Sequence, residues 1–303
     1  MRSIREQLRI DYGRTARGAL RIFRTSAALE NARVRAARLL VQGLRLRELT
    51  RDETVRLEPA LESIATDLAG AIHYESDETG DAYRFCLSLM EHPRRVGVKF
   101  CFGSEVHALQ STSRWISAAV SRGQSFAADL FVVAAGSYSA PLVRGLGVHL
   151  PVRPVKGYSI TIDSDHESHL LRVPIIDDDL HAVVVPIGNS IRVAGTAEFA
   201  GYDHRPNPER IRNLVGLLNK VLPDMQFESK AAKPWSGLRA MSADGVPLIG
   251  STSFKNLMVS TGHGHLGWTM AAGSAQLLAD LMSGQSPAID AAPYDPNRFS
   301  LGP

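Results

Sequence analysis

The stretch from Asn256 to Gly284, NLMVSTGHGHLGWTMAAGSAQLLADLMSG, most constrains the fold of this 303-residue chain. It predicts an apolar strand, a glycine-rich turn and a helix that begins directly at the turn. Backbone N–H groups at such a helix N-terminus bind anionic groups, because the helix dipole places partial positive charge there. Gly262, Gly264 and Gly267 therefore predict a cofactor contact, and a plain strand-to-helix connection is the alternative.

The three glycines spell GxGxxG, but their context differs from the dinucleotide-binding fingerprint. That fingerprint opens a βαβ unit of about 30 residues, whose second parallel strand ends in an acidic residue. Here residues 284–299, GQSPAIDAAPYDPNRF, contain no apolar strand. An NAD-dependent Rossmann enzyme built on this turn is disfavoured, and the turn is predicted to contact another part of a cofactor.

Length and composition predict a soluble globular enzyme with one large core or two intertwined cores. The chain exceeds the roughly 100–200 residues of a single domain, and it is 44% hydrophobic and 21% charged. No apolar run approaches the length of a membrane-spanning helix. Residues 2–9 alternate arginine with apolar residues but lead into no apolar leader segment, so secretion is not supported.

The first 51 residues carry 13 arginines and four acidic residues. Such a segment can mark a nucleic-acid patch, a transit peptide or an anionic membrane surface. The arginines alternate with apolar residues, which favours solvated faces of folded elements, and no nucleic-acid partner is predicted. Cys86 and Cys101 show neither metal-ligand spacing nor a CxxC pair, so we expect no metal site and a reduced, cytoplasmic chain.

Strands and helices are predicted along the whole chain. Residues 18–25 form a strand, followed by a helix that Ser26 caps and Gly43 stops. A turn at residues 78–81 joins a short strand to a helix, and short β segments follow at 98–102, 105–110, 115–120 and 126–134. Residues 151–234 alternate strands before a helix at 208–222, which predicts an antiparallel α+β insert.

Two further segments carry candidate site residues. The buried strand DLFVVAAG ends at Ala135 and Gly136, where a ligand can approach the backbone; close packing of strand on helix is the alternative. Arg239 follows Trp235-Ser236-Gly237-Leu238 at the junction with the cofactor segment, where its guanidinium can bind a carboxylate bidentately. A structural ion pair is the alternative for Arg239, and no catalytic acid or base can be identified.

Eight sequence blocks resemble those of a known family. They are RGALRIFRT, SDETGDAYRF, GVKFCF, VVAAGSYSAPL, PVRPVKGYSITI, IRVAGTAEFAGYD, SGLRAMSADGVPLIG and KNLMVSTGHGHLGWTMAAGSAQLLADLMSG. In order and spacing they resemble the D-amino acid dehydrogenase small subunits, flavoproteins of the D-amino acid oxidase and glycine oxidase superfamily. The resemblance runs through nearly the whole chain.

The resemblance implies a fold of the α/β plus α+β class, with a discontinuous FAD-binding domain and an antiparallel-sheet substrate domain. Residues 1–60 and 151–235 would belong to the substrate domain, and residues 61–150 and 236–303 to the FAD-binding domain. Members of the family begin with a βαβ unit bearing the GxGxxG for the FAD pyrophosphate. This chain is expected to lack that first unit and to be N-terminally truncated relative to them.

The resemblance also implies the site residues. Arg239 matches the arginine that holds the substrate carboxylate, and Ala135 and Gly136 match the strand end that passes FAD. The flavin-facing turn is matched by Gly262, His263, Gly264, His265, Leu266 and Gly267. Two departures from the family pattern are Ala240 and Ala243, which replace prolines beside Arg239. A third is His265, which stands where a small hydroxyl residue is usual.

The implied reaction is hydride transfer from the Cα of a D-amino acid to FAD, followed by hydrolysis to a 2-oxo acid and ammonia. Electrons would pass to a respiratory acceptor, a quinone, rather than to oxygen. That acceptor implies peripheral association with the inner face of the plasma membrane. The alternatives are an inactive remnant and a non-catalytic subunit that retains the substrate domain.

Overall fold

The computed structural model describes residues 2–163, 171–225 and 227–299. Its helices are α1 (Arg2–Leu8), α2 (Ser26–Val41), α3 (Arg51–Leu57), α4 (Ala82–Arg95), α5 (Ser139–Arg144), α6 (Pro208–Val221) and α7 (Gly267–Ser283). Its strands are β1 (Ala19–Phe23), β2 (Leu46–Leu49), β3 (Gly70–Tyr74), β4 (Val106–Thr112), β5 (Trp115–Ser121), β6 (Gln124–Phe126), β7 (Phe131–Val133), β8 (Val152–Asp163), β9 (Ile175–Asp177), β10 (Ala182–Ile187), β11 (Ser190–Glu198), β12 (Lys233–Ser242), β13 (Leu248–Ser251) and β14 (Leu257–Thr261).

The largest sheet has eight strands in the order β12-β8-β11-β10-β9-β1-β3-β2. Neighbouring strands in this sheet are antiparallel, except for β1 and β9, which run parallel. Side chains alternate between the two faces along each strand. On β8, Tyr158, Ile160 and Ile162 point to the face where Leu214 and Leu218 of α6 complete a buried core. The odd-numbered residues of β8 and β12 share the opposite face, which carries the candidate site.

Two smaller sheets complete the described fold. In the order β13-β14-β7, the strands β7 and β14 are parallel, so their carboxyl ends lie at one edge. The third sheet is the antiparallel β4-β5-β6. The buried amide of Asn256, just before β14, accepts from the N–H of Ile116 at 2.7 Å and donates to its C=O at 2.9 Å. This side chain fixes the third sheet against the second.

The predicted fold class is confirmed by these elements. The predicted strand and helix of the glycine-rich segment are β14 and α7, and the turn lies between them. The predicted antiparallel insert is formed by β8 to β11 and α6. The predicted cap of α2 was wrong by one residue. Thr25 has extended backbone and its hydroxyl accepts from the N–H of Ala28, whereas Ser26 is already helical.

The predicted β segment at residues 98–102 was also wrong, because the described structure gives these residues no strand partner. Phe100 and Phe102 instead stack on each other and on the guanidinium of Arg94.

The four domain ranges remain predictions. Strand β3 lies in the large sheet although the range 61–150 was predicted for FAD binding. Residues 1, 164–170, 226 and 300–303 lie outside the described residues.

Among the helices of the described ranges, none has the length and apolar character needed to span a membrane.

Candidate functional site

The carboxyl ends of β7 and β14 bring the two predicted cofactor segments together. The hydroxyl of Thr261, at the end of β14, donates to the carbonyl of Gly136 at 2.8 Å. Gly136 and Gly262 both have positive φ, +56° and +79°. This conformation lets the backbone turn tightly after β7 and after β14. Ala135 precedes the first turn and is exposed. Strand β7 itself ends at Val133, two residues before Ala135, and the parallel pairing places the segments that follow β7 and β14 side by side.

The glycine turn packs closely against its neighbours. A β-carbon added at Gly262 would lie 2.9 Å from the Cδ1 of Leu248, and one at Gly264 would lie 3.1 Å from the Sδ of Met241. His263 forms an isolated antiparallel bridge with Met241 of β12. These contacts fix the turn against the end of β12.

The N-terminus of α7 is open to a ligand. Neither the short 3₁₀ turn at Gly264–Leu266 nor α7 has a side chain capping its N-terminus, and the first turn of each carries no acidic residue. The first N–H groups of a helix have no partner within the helix, so this end can take an anionic group. His265 and Leu266 are exposed beside it, and Gly267 has helical backbone and begins α7.

His263 presents a neutral imidazole at this turn. The ring is half-buried, and burial lowers the pKa of His263 below its ordinary value because the charged form loses hydration. Its Nε2 lies 3.0 Å from the Oγ of Ser274 in α7. The histidine therefore adds no positive charge to the turn at neutral pH, and the partial charge there comes from the backbone.

Arg239 lies on β12, on the sheet face opposite α6. It pairs in register with Val155, and its guanidinium extends over Gly157, the next residue of β8 on that face. Its Nη1 donates to the carbonyl of Thr196 at 3.2 Å. Burial lowers the pKa of Arg239, although a guanidinium stays charged at neutral pH.

Among the described residues no carboxylate forms an ion pair with Arg239, so the structural ion-pair alternative has no support. Arg239 and Met241 point to the same face of β12 and are two residues, about 7 Å, apart. Because Met241 bridges to His263, Arg239 and the glycine turn are neighbours.

A cavity of about 450 Å³ lies at the end of β12. Its lining is mostly apolar and includes Val155, Met241 and Phe199. Ser242 also lines it, and the Oγ of Ser242 is buried with no hydrogen-bond partner in the part of the chain that the structure describes. Met241 both lines this cavity and bridges to His263, so a mostly apolar cavity lies next to the glycine turn, as a flavin ring requires.

Sequence reasoning missed two features of this face. Gly157 leaves the space that the Arg239 guanidinium occupies, and the indole of Trp235 lies over Gly237 in the same way. A glycine inside a strand pattern indicates a close approach by another group, and that signal was present in the segment PVKGYSITI.

Several known proteins are similar to this chain. The sequence profile of the FAD dependent oxidoreductase family matches residues 1–281. A D-amino acid dehydrogenase of Granulibacter bethesdensis is 40% identical over 292 residues, covering 96% of this chain and 70% of that protein. The D-amino acid dehydrogenase of Paramagnetospirillum magneticum is 38% identical over 298 residues, covering 98% of this chain and 70% of that protein.

Solved structures show the same fold. Glycine oxidase from Geobacillus kaustophilus superposes with a TM-score of 0.87 at 26% identity, covering 99% of this chain and 80% of that one. L-proline dehydrogenase from P. horikoshii superposes with a TM-score of 0.86 at 17% identity, covering 98% of this chain and 80% of that one, and it supports the fold alone. The family resemblance inferred from the sequence blocks is confirmed.

Proposed function

Because the chain belongs to the FAD dependent oxidoreductase family, an enzyme family that uses FAD, we propose that it oxidises D-amino acids to 2-oxo acids and ammonia. The observation that carries this proposal is the half-buried guanidinium of Arg239. It has no carboxylate partner among the described residues, and it lies on the sheet face that meets the glycine turn. The names of the similar proteins from Granulibacter and Paramagnetospirillum support the choice of D-amino acids.

Arg239 binds the substrate carboxylate and thereby orients its Cα. A guanidinium offers two parallel N–H donors to a carboxylate, which fixes the direction of the bound molecule as well as its position. The carbonyl of Thr196 holds Nη1 at 3.2 Å and steadies the clamp. Bound FAD supplies the acceptor for the hydride that leaves Cα, and the resulting imino acid takes up water and releases ammonia.

The cofactor contacts in this proposal are backbone groups. The open N-terminus of α7, with Gly262, His263, Gly264, His265, Leu266 and Gly267, would meet the flavin ring, and Ala135 and Gly136 would pass beside the cofactor. The side chains of Val155 and Met241 would offer an apolar surface to the bound flavin ring. A neutral His263 keeps the local charge low.

We also propose a quinone as the electron acceptor and a cytoplasmic chain bound peripherally to the inner face of the plasma membrane. An exposed surface at the end of α2 supports the membrane part of this proposal. Leu40, Val41 and Leu44, at the end of α2, are exposed by 50, 89 and 38%. Arg38 and Arg45 lie beside them in sequence, and a basic surface with exposed apolar groups fits an anionic bilayer.

The membrane proposal is tested by sedimentation with vesicles. The wild-type chain should sediment with vesicles containing phosphatidylglycerol more than with pure phosphatidylcholine, and Val41→Glu should reduce the bound fraction. Val34→Glu, earlier on the same helix, is the comparison variant. Equal sedimentation with both vesicle types would contradict the proposal.

The oxidation itself is tested on the purified chain supplied with FAD. Under argon, with a soluble quinone, D-alanine should yield pyruvate, ammonia and reduced quinone in equal amounts, while L-alanine should yield none. Arg239→Met should raise the KM for D-alanine by about 100-fold or more, since it removes two charged hydrogen bonds that contribute about 1.5–3 kcal/mol each.

The control for Arg239 is Arg210→Met. Arg210 lies on α6, on the other side of the sheet, and reaches Glu198 rather than the candidate site. Its loss should leave the KM unchanged. Oxidation of L-alanine at the same rate, or an unchanged KM in Arg239→Met, would refute the assignment.

A further inference from the structure

Trp235 and Arg239 lie side by side over a pair of glycines. Gly157 of β8 and Gly237 of β12 face each other in register. A β-carbon added at Gly157 would lie 2.4 Å from the Cζ of Arg239, and one at Gly237 would lie 2.3 Å from the Cη2 of Trp235. Since β-carbon positions of paired residues are about 5 Å apart, the guanidinium and the indole edge are neighbours on one sheet face.

The surroundings of Trp235 are small side chains. Ser159 pairs directly with Trp235, and Ala194 pairs with Ser159 on the next strand. The indole is therefore 62% exposed, although large aromatic side chains bury a substantial apolar area when they have a partner. No packing need of the sheet explains an exposed tryptophan at this position.

The order of side chains along β12 shows which end of this face lies near the cofactor. On this face the strand presents Trp235, Gly237, Arg239 and Met241 in turn. Met241 bridges to the glycine turn, so the cofactor side lies at the Met241 end. A substrate held by its carboxylate at Arg239, with Cα toward the cofactor, has the Trp235 end free for its side chain.

We propose that Trp235 forms the subsite that receives the side chain of the amino acid, and that it favours flat apolar side chains such as that of phenylalanine. The inference rests on the proposed function, because it takes Arg239 as the carboxylate ligand. An aromatic ring packed on the indole gains both buried apolar area and a favourable ring–ring contact. D-phenylalanine should therefore bind about five- to tenfold more tightly than D-alanine.

The test uses the chain labelled with ¹⁵N-tryptophan, which gives one indole N–H signal for each of its three tryptophans. Titration with D-phenylalanine should shift the Trp235 signal in a saturable way and leave the signal of Trp115, on β5, in place. The shift gives the dissociation constants of D-phenylalanine and D-alanine without requiring turnover. Trp115→Phe is the matched control and should change neither constant.

Variants at Trp235 test the side-chain subsite, and a variant at Arg239 tests the proposed function separately. Trp235→Leu should bring the affinity for D-phenylalanine down to that for D-alanine, followed in a uniformly ¹⁵N-labelled sample of this variant through backbone amides near Arg239. Trp235→Phe, which keeps a flat ring, should retain most of the preference. An unchanged affinity ratio in Trp235→Leu, or no shift of the Trp235 signal, would overturn the subsite while leaving the carboxylate clamp in place.

Arg239→Met addresses the proposed function alone and should weaken binding of both amino acids by about 100-fold or more. If both still bind to Arg239→Met as to the wild type, or if neither shifts the backbone amides near Arg239 in the wild-type chain, the carboxylate clamp itself is refuted. Because Trp235 is exposed, its variants are expected to fold, and unchanged indole signals of Trp115 and Trp268 check this directly.

Discussion

Replacing Gly157 by alanine should displace the Arg239 guanidinium without unfolding the sheet. The added β-carbon would lie 2.4 Å from the Cζ and 2.5 Å from both Nη1 and Nη2 of Arg239. Non-bonded heavy atoms normally approach to about 3.5–4.0 Å, so the guanidinium must retreat by about 1 Å or more. The backbone of Gly157 lies outside the positive-φ region, so alanine itself introduces no backbone strain.

The size of the effect follows from the hydrogen bonds that are lost. The clash involves the far end of a flexible side chain, so the free energy of unfolding should change little. A guanidinium displaced by 1 Å loses at least one of its two bonds to the carboxylate, and each contributes about 1.5–3 kcal/mol. The dissociation constant of D-alanine should therefore rise about 10- to 100-fold.

The measurement pairs a D-alanine titration with thermal unfolding. Gly216→Ala is the matched control, because Gly216 lies within α6 and nothing lies within 4 Å of its added β-carbon. That change should leave the affinity unaltered and stabilise the fold by about 0.5–1 kcal/mol. If Gly157→Ala bound D-alanine as tightly as the wild type, Arg239 would not be the carboxylate ligand in its observed position.

Three further predictions concern stability, each measured by urea unfolding against the wild type. Arg14 and Arg5 hold the pKa of Glu78 at about 2, below its ordinary 4.5. The stabilisation of the folded state by Glu78 is therefore present above pH 4.5 and disappears as the pH falls to about 2. Glu78→Gln should therefore flatten this acid dependence; an unchanged slope would contradict it. Gly262→Ala should cost about 1–3 kcal/mol, because φ is +79° and Leu248 lies 2.9 Å from the new carbon. Asn256→Ala should cost about 2–3 kcal/mol through its two bonds to Ile116.

The parts of the fold that local sequence patterns determine were predictable. The segment leading into α7 combines an apolar strand with positive-φ glycines, and both features are local. The α2 cap was placed one residue late because Thr25 and Ser26 both carry a hydroxyl, and only the backbone of Thr25 is extended. Residues 98–102 alternate like a strand, but a strand also needs a hydrogen-bonding neighbour, which periodicity cannot report.

The site was predictable only at the level of single segments. Arg239 and the glycine turn were predicted as site segments, since each carries a chemical group in a recognisable local context, and these assignments remain predictions. The neighbours of Arg239 were not, because Gly157 and Thr196 are separated from it by 82 and 43 residues and reach it only through strand pairing. A glycine inside a strand signals a close approach but does not tell which group approaches.

The register between β8 and β12 therefore decides whether this face can bind a carboxylate at all. A slip of one residue would turn Arg239 to the α6 face, into a core of apolar side chains. A break in the β11 ladder between Gly195 and Ala197 adds a second constraint, since Thr196 adopts φ of +63° there and its carbonyl meets the guanidinium. Positive φ is unfavourable for a threonine. The observed strain at Thr196 thus lies where the proposed substrate clamp is held, and the register and the bulge together place one charged group beside the cofactor turn.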